Sequence, residues 1–124
     1  MAMWTDDELR NVGEAEEFQL ASLRRDGTTR EPVTIWVVRC GNDLYVRSVN
    51  GRTASWFCGV QDRHEGHICA GGVDKDVSFV ETGGDVDDQL DAAYAVKYRH
   101  YAKSIIDHIT SSGATAATLK LAPH

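Results

Sequence analysis

Residues 33–57 read VTIWVVRCGNDLYVRSVNGRTASWF. The first eight are rich in β-branched and aromatic side chains and apolar on both faces, which predicts a central strand over 33–40. Gly41, Asn42 and Asp43 supply a short hairpin turn. A second strand follows over 44–49, where Leu44, Val46 and Ser48 alternate with Tyr45, Arg47 and Val49. Asn50-Gly51 signals another turn. A short helix is then expected over 53–63, with Trp56, Phe57 and Val60 at helical spacing and Gly59 as its weak point.

Working outward, Thr5 and Glu8 have the spacing of a capping box, so 5–17 reads as a helix with acidic residues in its first turn. A strand over 18–25 ends at the turn DGTT, and a hairpin is expected from 67–72 and 75–82. The segment 85–107 carries the clearest helical stripe: Leu90, Tyr94, Tyr98, Tyr101 and Ile105. Asp85, Asp87, Asp88 and Asp91 come early in it and Lys97, Arg99 and Lys103 late, as the macrodipole favours. A last strand is expected over 115–123. Six strands in hairpin-linked groups, an N-terminal helix, a short helix after the third strand and a long one before the last predict a mostly antiparallel α+β barrel or curled sheet. The regular strand–helix alternation of a doubly wound parallel sheet is missing.

The 124 residues suit one domain, 1–124, able to bury roughly two-thirds of its unfolded surface. Thirteen basic against nineteen acidic side chains, a formal charge of −6, argue against nucleic-acid binding, which draws on many Lys and Arg contacts. The apolar runs are too short for a membrane helix, and the opening MAMWTDDELR reads as neither a basic nor an apolar leader. With Cys40, Cys58 and Cys69 as an odd set of thiols lacking Cys-x-x-Cys spacing, a cytoplasmic protein is expected.

Several stretches bear on chemistry. Around RSVNGRTASWF (47–57), Asn50-Gly51 permits a close backbone approach, Arg52 offers a charged fork, and Thr53 or Ser55 offers a hydroxyl at a helix start. The same residues also read as an ordinary capped helix with a solvated arginine. Arg30 precedes the central strand and would make a second anion contact, whereas Arg24 and Arg25 read as turn residues. Trp36 reads as core, and Trp56 as either core or a wall for a flat ligand. His64 and His67 flank Glu65 without a metal-site spacing, so no metal is expected. A nucleophile elbow is likewise missing.

The stretches TDDEL, REPVTIWVVRCGNDLYVRSVNGRTASWF, RHEGHICAGGV, DAAYAVKYRHYAKSI and TAATLKLAP together resemble a family of small proteins catalogued as a domain of unknown function. YVRSVNGRTASWF is the most specific part. That family is similar to the flavin-binding split-barrel superfamily, which includes pyridoxamine phosphate oxidases and deazaflavin-dependent nitroreductases. The resemblance implies a split β-barrel, commonly a homodimer, that holds FMN or a deazaflavin and transfers hydride to a small organic substrate. It further implies cofactor contacts from Arg30, Ser48, Asn50, Gly51, Arg52, Thr53, Ser55 and Trp56. Tyr98, Tyr101 and His64 are the candidates for proton supply. Two other readings stay open: a cofactor-free module binding an anionic small molecule or a protein, and a non-redox isomerase or lyase working in the barrel mouth.

Overall fold

The capping box between Thr5 and Glu8 forms as its spacing predicts. The Glu8 N–H donates to Thr5 Oγ1 (3.1 Å) and the Thr5 N–H to Glu8 Oε1 (2.9 Å), opening helix α1, Asp6–Glu14. The computed structural model describes residues 4–82, 84 and 86–123. Among them seven strands form one sheet: β1 (Phe18–Ser22), β2 (Val33–Ile35), β3 (Val37–Cys40), β4 (Asp43–Arg47), β5 (Glu65–Ala70), β6 (Val73–Glu81) and β7 (Thr118–Pro123). Their spatial order is β2-β1-β5-β6-β7-β4-β3, with antiparallel pairing throughout. The fold is therefore α+β, an antiparallel sheet curled into a nearly closed barrel with a seam.

The seam corrects the expectation for 33–40. That run is not one central strand; it breaks at Trp36 into β2 and β3, which are the two edges of the sheet. Phe18–Leu20 pair with β2, whereas β3 pairs with β4. One bent segment thus supplies both ends of a curled sheet and carries it round on itself. Its two-sided apolar character comes from covering helices rather than from neighbouring strands on either side.

Side chains alternate between two cores. Val37, Leu44 and Val46 join Phe18, Leu20, Phe57, Ile68, Phe79, Leu119 and Leu121 inside the barrel. Val38 and Tyr45 face outward onto Leu90, Tyr94, Tyr98 and Ile109. Leu44 to Arg47 on β4 are consequently all buried.

The expected helix over 85–107 is two helices, α3 (Asp87–Lys97) and α4 (Lys103–Ile109), followed by the short α5 (Ser112–Thr115). Asp85 lies outside the described residues. The break at 98–102 sits where two tyrosines pack on one tryptophan. Tyr98 is fully buried with its ring stacked on Trp36 (centroids 3.9 Å apart), and Tyr101 tilts against the same indole at 5.0 Å. Ala102 there is extended (φ −59°, ψ 144°). Ile105, expected on the buried stripe, is 43% exposed.

Arg47, left by strand alternation without a clear place, is wholly buried behind β4. Its Nε donates to Thr118 Oγ1 (3.0 Å), and its Nη2 to the Asp87 carbonyl (3.2 Å). Its Nη1 donates to the Asp91 carboxylate and to the Ile109 carbonyl (3.4 Å). One guanidinium therefore ties β4, β7, α3 and α4 together.

Candidate functional site

The turn after β4 is shaped by backbone before it is shaped by charge. Ser48 leaves the strand, its carbonyl accepts from the Gly51 N–H (3.0 Å), and Gly51 takes φ +76°, a left-handed conformation that glycine adopts without strain. A single 3-10 turn, Gly51–Thr53, leads through the extended Ala54 into helix α2, Ser55–Arg63. The expected helix start at Thr53 is corrected accordingly. Ala54 is the N-cap and has no side-chain oxygen, so the first N–H groups of α2 lack a side-chain acceptor.

Two cavities of about 300 Å3 each open beside this start. The first is lined by Ile35, Trp36, Ser48, Asn50, Trp56 and Ile105 among others, and is mostly apolar. Ser48 Oγ is buried beside it with no hydrogen-bond partner among the described residues. The second is lined by Ser22, Arg24, Arg30, Ser55 and Trp56 among others, with Glu31 as its one acidic member. Val33 and Trp56 belong to both, so the indole of Trp56 stands between a recess walled by Trp36 and one edged by Arg24 and Arg30.

Arg30 is held in place by packing. Its Nη2 pairs with Asp62 Oδ2 at 2.6 Å, while its buried Nε has no partner among the described residues. The side chain crosses α2 at Gly59, where a Cβ would lie 2.8 Å from Arg30 Nε and 2.8 Å from Ser22 Oγ. The glycine that weakened the helix in sequence is the notch that admits this arginine. Gly59→Ala is accordingly expected to destabilise the protein by about 1–3 kcal/mol through overpacking, against the gain of helix propensity. Urea unfolding checks it: a variant as stable as the wild type or more so would remove the packing argument.

The structure thus brings Ser48, Asn50 and Trp56 to one cavity and Arg30, Ser55 and Trp56 to the other. Arg52 lines neither; its Nη1 donates to Glu81 Oε1 (2.8 Å) and the Ala116 carbonyl (2.9 Å), and its guanidinium lies 5.0 Å from the Phe57 ring. Thr53 is exposed, and Gly51 packs towards the backbone of Gly113. Tyr98 lies behind Trp36, with its hydroxyl on the Val37 peptide (3.2 Å from N, 3.1 Å from O), and burial pushes its pKa up. His64 caps the far end of α2 in a left-handed conformation (φ 57°). His67 has one carboxylate on each ring nitrogen, Asp76 and Asp74, and these hydrogen bonds raise its pKa.

Sequence reasoning missed Trp36 and Arg24 as cavity residues. Trp36 was expected in the core, but the bend at the seam leaves it half-buried, one face on Tyr98 and the rest of the ring on the cavity. Gly59, a mid-helix glycine that marks close approach by another chain segment, signals the packing of Arg30 and Ser22 rather than of Trp36 or Arg24.

Solved structures share this architecture at low sequence identity. The heme storage protein HutZ of Vibrio cholerae superimposes with a TM-score of 0.68 at 16% identity, covering 98% of this chain and 92% of that one. A Listeria innocua protein provisionally named a pyridoxamine 5′-phosphate oxidase gives 0.66 at 12%, covering 96% and 92%. An F420 reductase gives 0.59 at 13%, covering 93% and 91%. At these identities the likeness is one of fold. No protein with a curated description matches the chain by sequence. A family model does match residues 8–121, and the chain belongs to that family, described as "Uncharacterized protein conserved in bacteria (DUF2255)".

Proposed function

We propose that the chain binds a flavin-type cofactor, FMN or a deazaflavin, and acts as an oxidoreductase on a small organic substrate. The observation that carries this reading is the pair of adjoining cavities divided by Trp56, both largely apolar, the first walled by Trp36 and the second edged by Arg24 and Arg30. A planar ring joined to a phosphate-bearing tail is a ligand of that form. Ser48 Oγ and Arg30 Nε lie buried beside these cavities without a hydrogen-bond partner among the described residues.

In this reading Arg30, Arg24, Ser55 and the uncapped start of α2 hold the phosphate, and Trp36 and Trp56 wall the ring. Ser48 and Asn50 fix its orientation, and Gly51 shapes the turn that presents them. Arg52 and Thr53 join the anion contact only when Arg52 leaves Glu81. The bound cofactor supplies the hydride chemistry, and the protein supplies binding, orientation and exclusion of water. Tyr101, half-buried against Trp36, is the group we assign to proton supply, since the Tyr98 hydroxyl is engaged by Val37 and His64 caps the far end of α2.

Val49 and Ile105, 42% and 43% exposed, border the ring cavity and suit a second copy of the chain closing over it. The free thiols of Cys40, Cys58 and Cys69 fit a reducing compartment, the cytoplasm. Among the described residues no helix is long and apolar enough to cross a membrane.

Titration of the purified protein with FMN and with a deazaflavin tests the reading. Micromolar binding of one of them is expected, weakened about tenfold in Arg30→Ala through loss of a charge-assisted contact. Failure to bind either sinks it. Native mass spectrometry that instead retains an anionic metabolite without a flavin mass establishes the cofactor-free module.

A further inference from the structure

In a chain with nineteen acidic and thirteen basic side chains, a cation without a carboxylate partner stands out. Arg39 and Lys97 line one groove of about 240 Å3 between α1, β3 and α3, sharing no residue with the two cavities above. Neither forms an ion pair among the described residues. Arg39 Nε donates to the Gly41 carbonyl (2.9 Å), and Lys97 Nζ donates to the Val37 carbonyl (2.7 Å). The groove is walled by Val38 and Ala93, and Val96 stands at its rim, 62% exposed. Gly13 lets Arg39 lie close, since a Cβ there would sit 3.0 Å from Arg39 Cβ.

The Lys97 amine is half-buried, 5.0 Å from the centre of the Tyr98 ring. Desolvation pulls its pKa down to about 8, with Glu16 acting weakly the other way. The charged or titratable groups around it are Arg39 on β3, Glu16 after α1, and Tyr98 beside it. Near neutral pH about a tenth of this amine is unprotonated, against well under a hundredth for an ordinary lysine. Donation to the Val37 carbonyl uses a proton and leaves the nitrogen lone pair free.

We propose that Lys97 is an imine-forming lysine whose groove takes small aldehydes and 2-oxo acids, with Arg39 meeting their carboxylate. The neutral amine attacks the carbonyl carbon, and the π pair moves to oxygen, which takes up a proton. Loss of water then gives the protonated imine, with no net oxidation or reduction. The resulting cation stays next to the Val37 carbonyl, and the carboxylate of the bound acid offsets it. This assignment is independent of the cofactor reading.

Glyoxylate with cyanoborohydride as added reductant traps the imine as a carboxymethyl amine, and peptide mapping by mass spectrometry reads each lysine separately. Lys97 is expected to be labelled about tenfold faster than Lys103, which is exposed and pairs with Asp107. With acetaldehyde, which has no carboxylate, Arg39→Gln should leave the Lys97 preference intact; with glyoxylate it should reduce it several-fold. Equal labelling of Lys75, Lys97, Lys103 and Lys120 in the wild-type protein overturns the reactive amine. A glyoxylate preference that survives Arg39→Gln overturns the carboxylate contact.

Discussion

Arg47→Leu is expected to cost about 3–4 kcal/mol of folding stability, a large share of the 5–15 kcal/mol typical of a domain. The side chain is wholly buried, and all three of its nitrogens are hydrogen-bonded. Leucine fills part of the space but leaves the Asp87 and Ile109 carbonyls and the Thr118 hydroxyl without their donor. Asp91 and Asp87 are only partly buried, 38% and 29% exposed, so water recovers some of their loss and holds the cost below that of a fully enclosed pair. At a urea dependence of about 1–3 kcal/mol per molar, the unfolding midpoint should drop by one to several molar. Asp91→Asn should cost less, about 1 kcal/mol, because it keeps an acceptor for the guanidinium. A midpoint for Arg47→Leu close to that of the wild type would show that the guanidinium is replaceable by apolar volume.

Tyr98→Ala is the second large effect, about 3–5 kcal/mol, from removing a fully buried aromatic side chain. It differs from an ordinary core truncation in what it releases. Trp36 loses the ring stacked on it at 3.9 Å, and α3 loses its hydroxyl anchor on the Val37 peptide. Cofactor binding, as proposed, should therefore weaken even at temperatures where the variant is folded. Tyr98→Phe separates the two contributions: it keeps the stack, loses about 1 kcal/mol of hydrogen bonding, and should bind cofactor as the wild type does. A phenylalanine variant that folds normally and binds cofactor but has lost turnover would instead give the hydroxyl a chemical role.

Much of the fold was legible where a local pattern had one structural meaning. The Thr5–Glu8 box, the turn at Gly41 and the strands around it were set by spacing and turn chemistry, and both are local. The failures share a non-local cause. A run such as 33–40 looks the same whether strands or helices cover its faces, so edge and centre are indistinguishable until the sheet closes. The stripe from Leu90 to Ile105 is periodic throughout, yet the helix ends at Lys97, and the residue after it stacks on a tryptophan some sixty residues earlier. Arg47 read as one polar residue in an alternating strand, because its four partners come from three other elements. In the candidate site, Ser48, Asn50, Ser55 and Trp56 were within reach of one turn, and the structure places them at cavities. Trp36 and Arg24 were not, since the place of Trp36 depends on the bend and Arg24 is held at its own turn by Thr28 and Thr29.

The break at Trp36 also has a mechanical consequence. Val33–Ile35 and Val37–Cys40 are joined through one residue, and each pairs with a different neighbour, so this bend joins the two edges of the barrel wall. Val33 to Trp36 line the ring cavity, and Ser48, Asn50 and Trp56 face it from across the opening. A molecule bound there would bridge the β2 edge and the turn after β4, the strand that pairs with β3, and act as a staple. Its affinity would then appear as slower hydrogen exchange at the amides of β2 and β3, far more than in the β5–β6 hairpin, because binding suppresses local opening in proportion to its free energy.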